Sequence, residues 1–191
     1  KVGLVNDIAM INLKQPLKLT EKPIRSIKLA LKPPSKSDKC KIAGWGSRSR
    51  NIQNSRSYPY KLHEASVHIR DFDQCWVNYF LNMAEEEKVR EFSESELKKA
   101  KDVWFHVQNK QNICAGNEKT DFCAADSGGP MICKDPDTNK FVLSGIVSWG
   151  GRRRDGESCA MRKYPGVYSN VAYFRYWIED QEKLFHMEQK N

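Results

Sequence analysis

No stretch of about twenty apolar residues occurs anywhere in this chain, so a membrane-spanning helix of ordinary length is excluded. No two cysteines stand in the close Cys-x-x-Cys spacing of a structural zinc site, and no calcium-loop or other metal motif is present. Neither a metal nor another cofactor is therefore expected. Acidic residues are in deficit: 32 Lys and Arg stand against 24 Asp and Glu, a formal net charge of +8. The excess is concentrated at Arg48-Ser49-Arg50, at Arg152-Arg153-Arg154 and in the Lys-rich stretch from Lys14 to Lys41. Such a surface suits an acidic partner such as a heparin-like polysaccharide, whereas nucleic acid is not expected; a plain solvated basic surface explains the same charge. No leader sequence is seen, and since one would precede the residues present, its absence carries no information.

What is present starts with size and sulfur. A chain of 191 residues is long enough for one domain with a real core, and six cysteines suit an oxidising compartment. Six cysteines leave fifteen pairings open. Short apolar runs separated by Pro, Gly, Ser and Asn clusters are the pattern of an all-β barrel or sandwich. Strands are expected at Asp7 to Leu13, Lys41 to Ala43, Ala65 to Ile69, Pro130 to Cys133, Phe141 to Trp149 and Gly166 to Asn170, with a proline-punctuated crossover from Leu17 to Pro34. The stretch from Tyr173 to Met187 has Phe174, Trp177, Ile178 and Leu184 at roughly helical spacing and reads as a packed terminal helix.

The long run between Cys75 and Cys114 breaks the β pattern. Ser93-x-x-Glu96 fits a capping box, Glu94 can pair with Lys98, and Leu97, Ala100 and Trp104 share one helical face. An inserted helix is expected there, either as a tolerated surface insertion or as a lid over a binding cleft.

One segment speaks to chemistry directly. Cys123-Ala124-Ala125-Asp126-Ser127-Gly128-Gly129-Pro130 sets a hydroxyl in a glycine-rich turn beside a carboxylate. It resembles the nucleophile loop of the trypsin-like serine proteases. Further landmarks follow the family's order: Asn6-Asp7-Ile8-Ala9-Met10, Gly44-Trp45-Gly46, Ile113-Cys114-Ala115-Gly116, Val147-Ser148-Trp149-Gly150, Tyr164-Pro165-Gly166-Val167-Tyr168 and Trp177-Ile178. The resemblance spans almost the whole chain. It implies an all-β, trypsin-like double β-barrel, of which this chain holds the end of the first barrel and the crossover (1–34), the second barrel (35–172, with an insertion at about 80–107) and a C-terminal helix (173–191).

The resemblance also implies roles. Ser127 would attack the scissile carbonyl, Asp7 would orient the general base, and the backbone N–H groups of Ala125 and Ser127 would form the oxyanion hole. Asp121 would stand at the floor of the pocket that takes Arg or Lys, with Gly150 and Gly166 as its open walls and Ser148-Trp149-Gly150 adding the substrate backbone as a strand. The implied disulfides are Cys40–Cys133, Cys75–Cys114 and Cys123–Cys159. Protein or peptide substrates, protein protease inhibitors and a secreted or granule location follow from the same likeness.

Departures from the family pattern set the alternative. Its base lies in an Ala-Ala-His-Cys stretch before the aspartate, whereas His63, His68, His106 and His186 all come after Asp7 and lack that context. The sequence therefore reads as the carboxyl-terminal part of a longer chain, and Asp126 has no evident amino-group partner. Ala125 replaces a glycine, Phe122 replaces a small residue and narrows the pocket, and Gly151 to Ser158 lengthens a rim loop. The expectation is a serine endopeptidase cutting after Arg or Lys; the alternative is a catalytically inactive homologue acting as a binding or regulatory module.

Overall fold

The computed structural model describes residues 5–19, 24–49, 58–75, 77–79, 93, 95, 98, 110–117, 119–150, 159–160 and 164–188. The expected insertion at about 80–107 and the arginines at 152–154 lie almost wholly outside the described residues. Among the described residues there are six strands: β1 (Cys40–Gly44), β2 (His63–Val67), β3 (Asn112–Ala115), β4 (Pro130–Lys134), β5 (Phe141–Trp149) and β6 (Gly166–Asn170). They form one antiparallel sheet in the order β2-β1-β4-β5-β6-β3.

The sheet curls until its edges meet. Just beyond β2, Ile69 bridges Ala115 of β3, and the Gly116 N–H donates to the His68 carbonyl at 3.0 Å while the Arg70 N–H donates to the Cys114 carbonyl at 2.8 Å. This closure satisfies edge groups that would otherwise be open to another chain. Alternation decides which side chains enter: on β6, Tyr168 points into the main core with Met131, Val67 and Ile113, while its neighbour Val167 packs on the other face with Cys75, Tyr79 and Cys114. Three disulfides tie the sheet, Cys40–Cys133 across β1 and β4, Cys75–Cys114 onto β3, and Cys123–Cys159 beside the loop that precedes β4.

Helix α1 (Val171–Glu188) follows β6 directly, two residues earlier than expected. Val171 and Phe174 are buried, but Trp177 and Leu184 are exposed, so the apolar stripe packs only through its first turns. No described helix is long and apolar enough to cross a membrane.

The segment from Asp7 to Leu13 is not a strand. It runs as irregular chain, with Ile11 and Leu13 exposed, because among the described residues no neighbouring strand offers it a ladder of hydrogen bonds. It is nevertheless anchored. The Asn6 N–H donates to Gln111 Oε1 at 3.1 Å, and Ser169 Oγ donates to the Asp7 carbonyl at 2.6 Å.

Candidate active site

The loop from Asp121 to Gly129 joins the end of β3 to β4 and is shaped by its own backbone. The Asp126 N–H donates to the Cys123 carbonyl at 3.0 Å and the Gly129 N–H to the Asp126 carbonyl at 2.9 Å. Gly128 and Gly129 then clip the turn onto Val147 of β5 through two bonds of 2.9 Å. Ser127 stands exposed at the tip. Gly128 has φ 80° and Ala125 has φ 72°, the left-handed region that favours glycine. Ala125 thus keeps a glycine-type conformation in spite of its methyl group, a strain of about 1–2 kcal/mol for an L-residue. Among the described residues, neither the Ala125 N–H nor the Ser127 N–H is taken by an acceptor.

Asp126 points the other way, into the protein. Its Oδ1 accepts from the Gly46 N–H at 2.8 Å and its Oδ2 from the Cys123 N–H at 3.0 Å. A Cβ on Gly44 or Gly46 would overlap this carboxylate, so the Gly44-Trp45-Gly46 turn fits around Asp126 only without side chains at its ends. The aspartate that lacked an evident partner in the sequence has two backbone donors.

Asp7 reaches the same neighbourhood. Its Oδ2 accepts a short hydrogen bond from Ser148 Oγ at the end of β5. Ser148 and Ser127 in turn line one cavity of about 190 Å³, together with Asp121, Phe122, Trp149 and Gly150. Residues far apart in the chain, Asp121, Ser127 and Ser148, therefore line one cleft, and Asp7 is tied to it through Ser148. No histidine joins them among the described residues: His63 and His68 are exposed on and beside β2, His186 is exposed on α1, and His106 lies outside the described residues.

The pocket behind Ser127 is organised by Asp121 and Phe122. The Asp121 carboxylate accepts from the Phe122 N–H at 2.8 Å through Oδ1 and from the Gly166 N–H at 2.9 Å through Oδ2, with Tyr168 Oη at 3.5 Å. Burial pushes its pKa up to about 7, the effect being offset in part by these three donors and reinforced by the nearby Asp126 charge. Tyr168 is raised well above 10 by its own burial and by Asp121, and stays a neutral donor. The buried Phe122 ring packs edge-on to Tyr168, with centroids 5.2 Å apart. It also lies against both glycines expected as pocket walls: a Cβ on Gly150 would be 3.5 Å from the ring, and one on Gly166 would collide with it and with Asp121.

The family model described as Trypsin matches residues 2–178. The chain belongs to the trypsin family. This trypsin-family chain is 34% identical over 177 residues to "Trypsin zeta" of Drosophila erecta, covering 91% of itself and 50% of that relative. It is 31% identical over 179 residues to "Tryptase" of Mus musculus, covering 90% of itself and 54% of the relative. Among solved structures it is similar to neuropsin, a serine protease expressed in the limbic system of mouse brain, at 26% identity and a TM-score of 0.56, covering 83% of this chain and 54% of the other. The chain spans about half the length of the curated relatives it matches. Its all-β sheet with a terminal helix is the trypsin-like fold.

Two features of this trypsin-family site escaped the sequence. The Ser148 hydroxyl, expected only as part of a substrate-binding backbone, holds Asp7; a serine beside a conspicuous tryptophan gives no local sign of a partner so distant in sequence. The aromatic set of Tyr79, Trp149 and Tyr164 also went unseen, with Tyr79 and Trp149 rings at 4.8 Å and the Tyr79 hydroxyl donating to the Pro165 carbonyl. Trp149 and Tyr164 of this set line the cavity themselves.

Proposed function

We propose that this sequence forms the nucleophile-bearing part of a secreted or granule-stored trypsin-like serine endopeptidase that cuts after Arg or Lys. Ser127 Oγ attacks the scissile carbonyl carbon and gives its proton to a histidine supplied by another part of the parent protein. That base later protonates the leaving amine, and water then releases the acyl group from Ser127. Asp7, steadied by Ser148, orients the base and stabilises it when charged. The N–H groups of Ala125 and Ser127 receive the developing oxyanion, the contribution that is usually largest in acyl transfer. Asp121 supplies the negative charge for a basic side chain. Protein inhibitors would enter the same cleft, and the basic crossover suits a heparin-like polyanion.

The observation that supports this reading best is that Ser127 and Ser148 line one cleft with Asp7 held by Ser148, while the Ala125 and Ser127 N–H groups have no acceptor among the described residues. Turnover of peptidyl-arginine and peptidyl-lysine substrates by the full parent chain tests it. Wild type is expected to release product, and Ser127→Ala to fall by about 10⁶-fold in kcat. Equal rates for the two proteins would contradict it. A second reading, a silent binding module, is favoured by the strained Ala125; it predicts no turnover by wild type on any peptide.

A further inference from the structure

The Phe122 ring lies where a long substrate side chain would have to pass. It touches the faces of Gly150 and Gly166, rests edge-on against Tyr168, and its own N–H is one of the donors to Asp121. The cavity that Ser127 shares with Asp121 and Phe122 is only about 190 Å³, below the roughly 300–1,000 Å³ of ordinary ligand pockets. Small walls alone would leave an open slot. Here the volume that two glycines vacate is filled by an aromatic ring, and the filling residue sits directly beside the carboxylate.

From this packing we infer that Phe122 is a throttle on the side-chain pocket: a basic side chain reaches Asp121 only when the ring moves aside. This inference rests on the endopeptidase reading for its biological meaning, but its physical content concerns the pocket alone. The ring needs somewhere to go. A second cavity, of about 320 Å³, shares Asp121 and Phe122 in its lining and extends toward Ile42, Gly44 and Val147. Phe122 is thus a partition between two spaces, and rotation toward the larger one opens the smaller.

Moving the ring forfeits its edge contact with Tyr168 and its packing in the core, so the closed arrangement dominates in the free protein. A ligand that needs the open form is weakened by the fraction of molecules in which it exists. Basic substrates accordingly bind weakly to wild type. Phe122 is a specificity-determining residue in this scheme. It does not touch the reacting atoms.

Benzamidine, a flat amidine that fits only if the ring yields, is the probe. Its affinity for the full parent chain is measured for wild type, Phe122→Leu and Phe122→Ser, alongside fluorophosphonate labelling of Ser127. Phe122→Ser is expected to bind benzamidine roughly 10- to 100-fold more tightly than wild type, as for a ring-open form populated at about 1–10% in wild type. Phe122→Leu, which keeps the core filled, is expected to fall between them. Adding Asp121→Asn to Phe122→Ser should remove the increase. In turnover the same change should appear in KM more than in kcat.

Equal benzamidine affinity for wild type and Phe122→Leu, with both folded, would overturn the throttle, as would an increase that survives Asp121→Asn. Labelling separates this failure from that of the endopeptidase reading. Labelled proteins with unchanged benzamidine affinity sink the throttle alone. Unlabelled proteins that nevertheless show the tighter binding sink the endopeptidase reading and keep the throttle.

Discussion

The two sides of the cleft are built from different materials. The turn that carries Ser127, the proposed nucleophile, is a matter of backbone: its shape comes from hydrogen bonds among Cys123, Asp126, Gly129 and Val147, and it holds although Ala125 occupies a conformation suited to glycine. The proposed side-chain pocket is a matter of volume: its proposed walls, Gly150 and Gly166, have no side chains, and a single ring, Phe122, takes up the room they leave. One methyl in the turn strains a residue without moving the fold. One aromatic in the pocket changes what can enter. Backbone-built geometry absorbs a substitution as strain, whereas a cavity registers it as lost space.

Breaking the turn side alone should have the largest effect. Asp7→Asn, which leaves the Ser148 contact with a neutral partner, is expected to lower kcat of the parent chain by about 10⁴-fold while benzamidine affinity stays at the wild-type value. A comparable loss of benzamidine affinity would show that the two sides are not separable.

Asp121 sharpens the pocket side through pH. The folded chain keeps the Asp121 proton up to about pH 7, while the unfolded chain releases it near its ordinary value of 3.8. Stability from that retained proton is complete below 3.8 and is lost as pH rises through 7. Wild type should therefore lose stability relative to Asp121→Asn between about pH 4 and pH 8, read as a melting-temperature difference that shifts steadily in favour of the variant. A stability difference independent of pH across that window would mean that burial does not hold the proton. Asp71, held below 3.8 mainly by its hydrogen bond from the Lys36 ammonium, cannot mimic this effect, because its contribution is already complete above 3.8.

The smallest effect is expected where the turn is strained. Ala125→Gly relieves the left-handed alanine but adds freedom to the unfolded chain, so a stabilisation of about 1 kcal/mol or less is predicted by chemical denaturation. A loss of stability would show that the methyl group packs favourably.

Much of this architecture is legible in the residues alone. Strands β4, β5 and β6 stand in the sequence as apolar runs bounded by Pro, Gly or Asn, and their expected limits differ from the observed ones by a single residue at most. β3 was not visible because Asn112 to Ala115 is short and buried at every position, so it shows no alternation. The expected strand at Asp7 fails for the opposite reason: apolar residues are present, but pairing partners are not among the described residues, and a strand is a property of its neighbours. In the site, residue types were readable and directions were not. Phe122 stood out as a large residue beside Asp121; that its ring faces both Gly150 and Gly166 depends on Tyr168 and on β6, which no local pattern contains.

The endopeptidase reading depends on Ser127 being an activated nucleophile in the parent chain, and fluorophosphonate labelling of wild type against Ser127→Ala measures this directly. A covalent adduct is expected on wild type, mapping to Ser127 and absent from the variant. Wild type that stays unlabelled under conditions in which a control trypsin reacts to completion would contradict it.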